Sequence, residues 1–202
     1  LNICRWTFPG TWAKNIATSW RISPDIRPHW SSVKRIIDLN IPLSAYCRDG
    51  HYNDMDMLEM GRGLKPNEEE VHFGMWCMMS SPLLIGCDMT KIKPATMDLL
   101  KNKELIAINQ DPLALQAYPI MSNGDTYVLV KDIIEERGKT RAVALYNASD
   151  TIAHFSVPIS ELEFAGKVKL RNLITHQNMK PVKDSIVATL PPHSVLIMKA
   201  EA

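Results

Sequence analysis

Apolar residues recur at helical spacing in the first part of the chain, between short runs that are apolar throughout. Residues 28–42 carry one helical pattern, and residues 67–81 carry a second that begins in an acidic stretch and stops at a proline. Residues 83–86 are continuously apolar, which is typical of a strand buried on both faces. A further helix is predicted to begin at Thr90 or Pro94. Helices alternating with strands indicate a parallel sheet built from βα units.

The pattern changes after Tyr118, where short strands separated by turn residues replace the helical spacing. Asn123-Gly124 is a strong turn signal, and residues 135–139 indicate a hairpin loop. The predicted strands are 126–130, 142–146, 154–157, 168–170, 186–190 and 195–198. Such a series favours an antiparallel β-sandwich. We therefore predict an α/β domain over residues 1–118 and an all-β domain over residues 119–202.

The composition is that of an ordinary globular protein, with 46% hydrophobic and 22% charged residues among 202, and this excludes a disordered chain. The 23 basic and 22 acidic residues leave a net charge of +1, so the charge favours neither nucleic acid nor an anionic membrane as a partner. No apolar run approaches the roughly 20 residues that span a bilayer. Because the first residue is Leu1 rather than Met, we expect a processed form or an excised piece.

The four cysteines are Cys4, Cys47, Cys77 and Cys87. They form no Cys-x-x-Cys pair, which argues against a zinc ribbon or a thioredoxin-type site. Cys77 and Cys87 lie in apolar surroundings and are expected to act as small core residues. Cys4 and Cys47 stay candidates for a disulfide if the compartment is oxidising, a point that the sequence leaves open.

The segment 19–26 concentrates polar residues where an apolar run ends, and in parallel α/β folds such strand ends carry the chemistry. Trp20 offers a flat apolar face that suits a sugar ring, and Arg21 offers a fork of donors for hydroxyl or carboxylate groups. Asp25 lies between apolar neighbours, a setting that favours the protonated form a general acid needs. The alternative role for Asp25 is to cap the helix that follows.

A second polar cluster occupies residues 49–58 and includes Asp54 and Asp56, which would share one face of an extended segment. The cluster lacks the spacing of an EF-hand calcium loop. It is compatible with polyol binding, because carboxylates accept hydrogen bonds from hydroxyls, and equally with a solvated acidic loop. A structural role is expected for His51. Asp88, after the apolar run, is expected to cap the next helix or to belong to a site.

Taken in order, these segments resemble motifs of glycoside hydrolase family 27, the family of α-galactosidases and α-N-acetylgalactosaminidases. Residues 20–26 resemble the family's Trp-Arg pair followed by Asp-Ile, and residues 52–58 resemble its Trp-Asn-Asp-Pro-Asp-Met-Leu pattern. Residues 82–88 match Pro-Leu-Leu-Ile-Gly-Cys-Asp, and residues 109–113 match Asn-Gln-Asp-Pro-Leu. Residues 120–202 fit the family's C-terminal antiparallel β-domain more loosely.

The resemblance implies the second half of an eight-stranded (β/α) barrel followed by a β-sandwich, and hydrolysis of galactosides with retention by double displacement. Asp25 matches the family's acid/base carboxylate, which protonates the departing oxygen and then deprotonates the attacking water. Arg21 matches a substrate-binding arginine near the 2-hydroxyl. Asp56 matches a binder of sugar hydroxyls, with Met57 beside it. No metal or cofactor is expected, since two carboxyl groups suffice for this chemistry.

One departure from the family pattern concerns the sugar. The family often has Cys-Glu-Trp where this chain has Cys4-Arg5-Trp6, and that glutamate helps to select the 2-hydroxyl of galactose. Arg5, Trp6 and Trp20 are nevertheless predicted to contact substrate. An α-N-acetylgalactosaminide, a β-L-arabinopyranoside or an α-glucan stays an alternative substrate, and a non-catalytic carbohydrate-binding fragment is an alternative role.

A second departure is that no segment of this sequence matches the family's nucleophile, an aspartate near the end of the fourth strand. We therefore expect that this chain alone does not hydrolyse glycosides, although a full-length protein would. A half-barrel leaves unpaired parallel edges, so pairing with another copy or rearrangement is expected rather than a stable monomer. The family suggests a periplasmic or secreted location.

Overall fold

The computed structural model describes residues 2–3, 8–48, 50–134 and 139–202. In the first part, three parallel strands lie side by side: β1 (Asn2–Ile3), β2 (Ser19–Arg21) and β3 (Tyr52–Asp54). The register of β2 and β3 places Arg21 opposite Asp54. Helical segments connect these strands, so the predicted parallel sheet with βα connections is confirmed.

The helices of the described region are α1 (Trp30–Asn40), α2 (Pro66–Met78), α3 (Pro94–Leu100) and α4 (Lys103–Asn109), with 3₁₀ turns at Pro9–Thr11, Ala13–Asn15 and Ile41–Tyr46. The first two match the predicted helices, and α3 begins at Pro94 rather than Thr90. Proline suits the first turn of a helix, where the missing N–H is not needed. Helix α4 was not predicted. Its start is fixed by the Asn102 side chain, which accepts hydrogen bonds from the backbone N–H groups of Glu104 and Leu105.

Residues 83–86 differ from the predicted doubly buried strand. The Leu58 N–H donates to Leu84 O at 2.7 Å and the Gly86 N–H donates to Leu58 O at 3.0 Å, which forms a short parallel bridge. Leu84 and Ile85 are nevertheless 58% and 46% exposed. Within the described residues the prediction of burial on both faces is wrong, because Leu84 and Ile85 face solvent while Leu83 packs against the core.

The described residues of the second part form eight strands: β4 (Tyr118–Asn123), β5 (Thr126–Asp132), β6 (Thr140–Asn147), β7 (Ala153–Pro158), β8 (Val168–Asn172), β9 (Gln177–Val182), β10 (Ser185–Leu190) and β11 (Ser194–Glu201). Six of them form an antiparallel sheet in the order β4–β5–β6–β11–β8–β9, and β7 pairs with β10 in a second sheet. The predicted β-sandwich is confirmed. Gly124 adopts φ +57° in the predicted turn, whereas most of the predicted loop 135–139 lies outside the described residues.

All residues of strand β6 are buried. Val143 and Leu145 pack in the core between the two sheets, together with Phe155 of β7. Ala144 and Tyr146 point to the opposite face and pack in the core that contains α2. Successive side chains of a strand alternate between faces, so this one strand contributes to two cores and joins the sandwich to the barrel part.

Helix α2 lies close against β11 at Gly74. A methyl group at this position would collide with the side chain of Ile197 and would lie 3.9 Å from Val195. Glycine, which has no side chain, permits this approach of helix and sheet.

A buried lysine ties the same two parts together. Lys131 of β5 is fully buried, and its Nζ donates to Ser80 Oγ at 2.6 Å and to the carbonyl oxygens of Ile108 at 2.5 Å and Cys77 at 3.4 Å. These carbonyls belong to the last turns of α4 and α2, where a cation is favourable. Burial lowers the pKa of Lys131 from 10.5 to about 8.

The turn between β10 and β11 makes another contact with the barrel part. The ring of His193 stacks on Trp30 of α1 with centroids 4.4 Å apart. Its Nδ1 lies 3.0 Å from Glu68 Oε1 of α2, and its Nε2 lies 2.7 Å from Asp150 Oδ1. The Asn67 side-chain amide donates to the carbonyl of His193 at 2.8 Å. His193 therefore connects α1 and α2 to the sandwich.

Candidate active site

The loops that follow β2 and β3 bring the polar candidates together. Parallel pairing aligns Arg21 and Asp54, which end these strands. Because the C-terminal ends of neighbouring parallel strands open on the same side of a sheet, the residues that follow them converge there. Asp25, Asp56 and Met57 line a cavity of about 430 Å³ at this end.

Arg21 joins the two candidate carboxylates. Its Nη2 lies 3.3 Å from Asp25 Oδ1 and also donates to Asp56 Oδ2 in a short ion pair. The side chains of Arg21 and Asp56 are 16% and 13% exposed, whereas that of Asp25 is 86% exposed. The arrangement fixes one carboxylate inside the protein and leaves the other at the surface of the cavity.

Asp56 is held by its neighbours on every side. Its Oδ2 accepts the backbone N–H of Ile26 at 2.8 Å in addition to Arg21, and its Oδ1 accepts the N–H of Met57 at 2.8 Å. Its own N–H donates to Asp54 Oδ1 at 2.8 Å. Its φ is +79°, in the left-handed region that residues with side chains rarely adopt. This backbone turn replaces the extended segment in which Asp54 and Asp56 were expected to share a face, and it makes Asp56 a rigid hydrogen-bonding group.

Two expectations about Asp25 are wrong. Helix α1 begins at Trp30 after His29, so Asp25 does not cap it. The side chain is also not enclosed by apolar groups, because Ile26 turns inward and is 4% exposed while Asp25 points outward. The contact with Arg21 places the Asp25 carboxyl beside Asp56, as the predicted site requires.

The structure contradicts the expected role of Trp20. Trp20 is 1% exposed, packs with Ala13 and Ala17, and donates its indole N–H to Asn53 Oδ1 at 2.8 Å. Alternation along β2 puts Trp20 and Arg21 on opposite faces, so the indole ring is a core group and presents no face to a sugar. The candidates Arg5 and Trp6, and Cys4 beside them, lie outside the described residues.

The sequence did not predict the buried acid of this pocket. Glu59 lines the same cavity as Asp25, although it is 2% exposed, and burial raises the pKa of its carboxyl group. Arg62 Nη1 lies 2.7 Å from Glu59 Oε2 and also donates to Gly86 O. The position of Glu59 between Leu58 and Met60 in an otherwise apolar run could have indicated this role. An acid in such a run either turns toward solvent or is buried with a partner.

The other polar candidates have local structural contacts. Asp88 is exposed and accepts hydrogen bonds from the backbone and hydroxyl of Thr90, while α3 begins later, so the prediction of a helix cap is wrong. His51 Nε2 lies 2.6 Å from Lys14 O. Cys47 and Cys77 are buried free thiols, and Cys87 is half-buried.

Neither a metal centre nor a membrane span is found in the described part of the chain. No group of three or more His, Cys, Asp or Glu side chains in these residues could hold a metal ion. None of the helices there is long and apolar enough to cross a bilayer.

Comparisons with known proteins agree with this geometry. A family model described as Alpha galactosidase A matches residues 9–111, and a model described as Alpha galactosidase C-terminal beta sandwich domain matches residues 121–200. The chain belongs to the alpha-galactosidase A family. The resemblance to glycoside hydrolase family 27 is thereby confirmed.

Individual family members match along almost all of this chain. Alpha-galactosidase 2 of Arabidopsis thaliana is 37% identical over 198 residues, which cover 96% of this chain and 49% of that protein. The alpha-galactosidase of Coffea arabica is 38% identical over 197 residues, which cover 95% of this chain and 51% of that protein. The chain therefore spans about half the length of these curated relatives.

Solved structures of the family have the same fold. Alpha-galactosidase I from Mortierella vinacea superposes with a TM-score of 0.88 at 28% identity, over 95% of this chain and 55% of that one. A β-L-arabinopyranosidase from Geobacillus stearothermophilus gives a TM-score of 0.88 at 22% identity, over 96% of this chain and 47% of that one, which supports the fold alone. The predicted architecture, part of a (β/α) barrel followed by a β-sandwich, is confirmed.

Proposed function

We propose that the chain is the C-terminal part of a retaining glycoside hydrolase that removes terminal α-D-galactosyl residues from oligo- or polysaccharides. The observation that carries the proposal is the contact of Arg21 with both Asp25 and Asp56 at the edge of one cavity. This places an exposed carboxyl group beside a rigid group that accepts hydrogen bonds. Membership of the alpha-galactosidase A family supports the same conclusion.

In the proposed mechanism, Asp25 transfers the protons. Its exposed carboxyl group donates a proton to the glycosidic oxygen as that bond breaks, and its carboxylate then takes a proton from the water that releases the sugar. The Arg21 contact at 3.3 Å orients the side chain without enclosing it. Met57 forms part of the cavity wall beside it.

The proposed role of Asp56 and Arg21 is to bind sugar hydroxyls. Asp56 Oδ1 accepts the Met57 N–H, and the second lone pair of this oxygen can accept a hydrogen bond from a sugar hydroxyl. Retention needs a second carboxyl group about 5–5.5 Å from the first, and a segment outside this sequence is proposed to supply it. We therefore expect no turnover by this chain alone.

The test compares two substrates in the longer protein that contains this chain. Without its proton donor, Asp25→Asn should lose about 10²–10⁴-fold in kcat/KM on a galactose disaccharide, whose leaving group needs a proton. It should lose much less on a nitrophenyl α-galactoside, whose leaving group departs as an anion.

The matched control is Asp88→Asn, which changes an exposed carboxylate outside the cavity. Equal losses on both substrates, or full activity of Asp25→Asn, would overturn the assignment of Asp25. Turnover of either substrate by the isolated chain, abolished by Asp25→Asn, would contradict the proposed need for an outside carboxyl group.

The substituent that the site accepts at the 2-position of the sugar is a separate question. Arg5 stands where the family often has glutamate. A panel of nitrophenyl glycosides on the longer protein separates an α-galactoside from an α-N-acetylgalactosaminide, a β-L-arabinopyranoside and an α-glucan. Highest kcat/KM on the α-galactoside supports the proposal. Sugar binding without turnover of any substrate would favour a carbohydrate-binding role instead.

We further propose pairing of this chain with a second copy through the apolar edge at 83–86, and a periplasmic or secreted location. The exposed side chains of Leu84 and Ile85 support the pairing. Light scattering that gives a dimer, converted to a monomer by Leu84→Lys, supports it, whereas a monomer at micromolar concentration contradicts it. Cell fractionation tests the location.

A further inference from the structure

The loop that carries Asp56 has an unusual conformation for its sequence. It begins at Asp56 with φ +79° and reaches Gly61 with φ +71°. Glycine adopts such a backbone freely, but aspartate does so only when surrounding contacts hold it there. The residues that hold Asp56 in this conformation therefore also fix the direction of its carboxylate.

Three side chains of α2 contact the backbone of this loop. Glu69 Oε1 accepts the Gly61 N–H at 2.7 Å, His72 Nε2 accepts the Glu59 N–H at 2.9 Å, and the Trp76 indole N–H donates to Asp56 O at 2.8 Å. Spacings of three and four residues place all three side chains on one face of the helix.

The three residues are also buried. His72 and Trp76 are fully buried and Glu69 is 7% exposed. The rings of His72 and Trp76 meet edge to face with centroids 4.1 Å apart. Burial lowers the pKa of His72 to about 3, so the ring stays neutral near pH 7 and keeps Nε2 available as an acceptor.

We propose that Glu69, His72 and Trp76 are positioning residues, which hold the loop 56–61 so that the Asp56 carboxylate meets Arg21 and the backbone of Ile26. The role in substrate binding rests on the proposed function, whereas the control of the loop does not. None of the three side chains is among those that line the cavity at Asp25, so they act through Asp56 rather than on a sugar.

The test measures amide hydrogen exchange in the unmodified chain and in Trp76→Phe. This variant keeps an aromatic ring but removes the N–H that holds Asp56 O. Exchange should rise about tenfold or more at the N–H groups of Ile26 and Met57, which donate to the Asp56 carboxylate, without a change in β6. His72→Phe, which removes the acceptor for Glu59 N–H, should act in the same way.

Two further variants separate positioning from general packing. Glu69→Gln keeps a side-chain oxygen for Gly61 N–H and should exchange like the unmodified chain. Phe73→Leu removes volume from the same helix at a buried position with no polar contact to the loop, and it should leave the relative exchange of loop and β6 unchanged. Exchange in Trp76→Phe within twofold of the unmodified chain, or raised equally in loop and β6, would overturn the proposal.

Titration with galactose of the same variants, made in the longer protein that contains this chain, tests the functional part. A five- to tenfold increase in Kd for Trp76→Phe, absent in Phe73→Leu, supports the link to sugar binding. If the unmodified longer protein binds no galactose while Trp76→Phe still raises exchange at Ile26 and Met57, the positioning role stands and the proposed function loses support.

Discussion

The sandwich core and the loops of the candidate site are fixed by different means. In the sandwich, strands of five to eight residues pair along most of their length, and apolar side chains fill the space between the sheets. In the barrel part, the described strands β2 and β3 are three residues long. The candidate site lies in the loops that follow them.

This difference shows that the two parts resist change for different reasons. A core position in the sandwich is held by many weak contacts, so its loss is felt as lost burial. Asp56 is held by a few directed hydrogen bonds from Arg21, Ile26 and Met57, so its loss is felt through unsatisfied polar groups. Burial in two large cores therefore stabilises both the barrel part and the sandwich, whereas directed hydrogen bonds fix the loops of the candidate site.

The largest expected effect is on the sandwich core. Leu145→Ala at a fully buried position should lower the free energy of unfolding by about 2–5 kcal/mol. Leu39→Ala, the same change at a 43% exposed position of α1, should stay within about 0.5 kcal/mol. Urea titration of both variants measures the contrast, and comparable losses would show that Leu145 is not held by burial.

Lys131 tests the junction between the two parts through pH. Burial lowers the pKa of Lys131 from 10.5 in the unfolded chain to about 8 in the folded chain. Between these values the unfolded chain binds more protons, so this group makes stability rise with pH. The free energy of unfolding of the unmodified chain, relative to Lys131→Met, should increase by about 3 kcal/mol from pH 8 to 10.5.

The control for this prediction is Lys180→Met, which changes an exposed lysine of β9. Its difference from the unmodified chain should not vary over the same pH interval. A pH-independent difference for Lys131→Met as well would mean that the buried ammonium keeps its ordinary pKa.

Within the site, the two carboxylates should respond differently. In Asp56→Asn, one of the two oxygens that accept hydrogen bonds from three donors is replaced by an NH₂ group, which cannot accept them. The substitution should therefore lower the free energy of unfolding by about 1–3 kcal/mol. Asp25→Asn should change it by less than about 0.5 kcal/mol because the side chain is 86% exposed. Thermal denaturation near pH 7 measures both, and equal effects would remove the distinction drawn here.

The smallest expected effect is at the surface of the junction. His193→Asn keeps a residue that tolerates φ +52° but removes the ring stacked on Trp30. The loss should be about 1 kcal/mol. The exposed His154 of β7 provides the control, His154→Asn, which should be neutral in the same denaturation experiment.

The sequence predicted the elements whose pattern is set locally. Helices α1 and α2 have apolar residues at helical spacing and clear ends, and the turn at Asn123-Gly124 needs only its own residues. Helix α4 was missed because its seven residues give too short a pattern, although Asn102 is a typical cap. Strands β4 and β9 were also missed, since their side chains are mostly exposed and show little apolar alternation.

The site was only partly predictable, because side-chain direction depends on neighbours distant in sequence. Asp25, Arg21 and Asp56 come together through the parallel pairing of β2 and β3, which the resemblance implied and the residue types alone did not. Trp20 looked suited to a sugar, but alternation along β2 turns it into the core. The contacts of α2 with the loop had no recognisable pattern, because they involve backbone groups of the loop.

The close packing at Gly74 couples the position of the β-sandwich to that of the candidate site. Gly74 of α2 packs against Ile197 of β11. Trp76, two residues further along the helix, donates a hydrogen bond to the backbone carbonyl of Asp56. A bulkier residue at position 74 or 197 would increase the distance between the helix and the sheet. The Asp56 loop, which is hydrogen-bonded to the helix, would move with it. If another β-sandwich domain replaced this one, its surface would have to match that of β11. Otherwise α2 would shift and the Asp56 carboxylate would change its orientation.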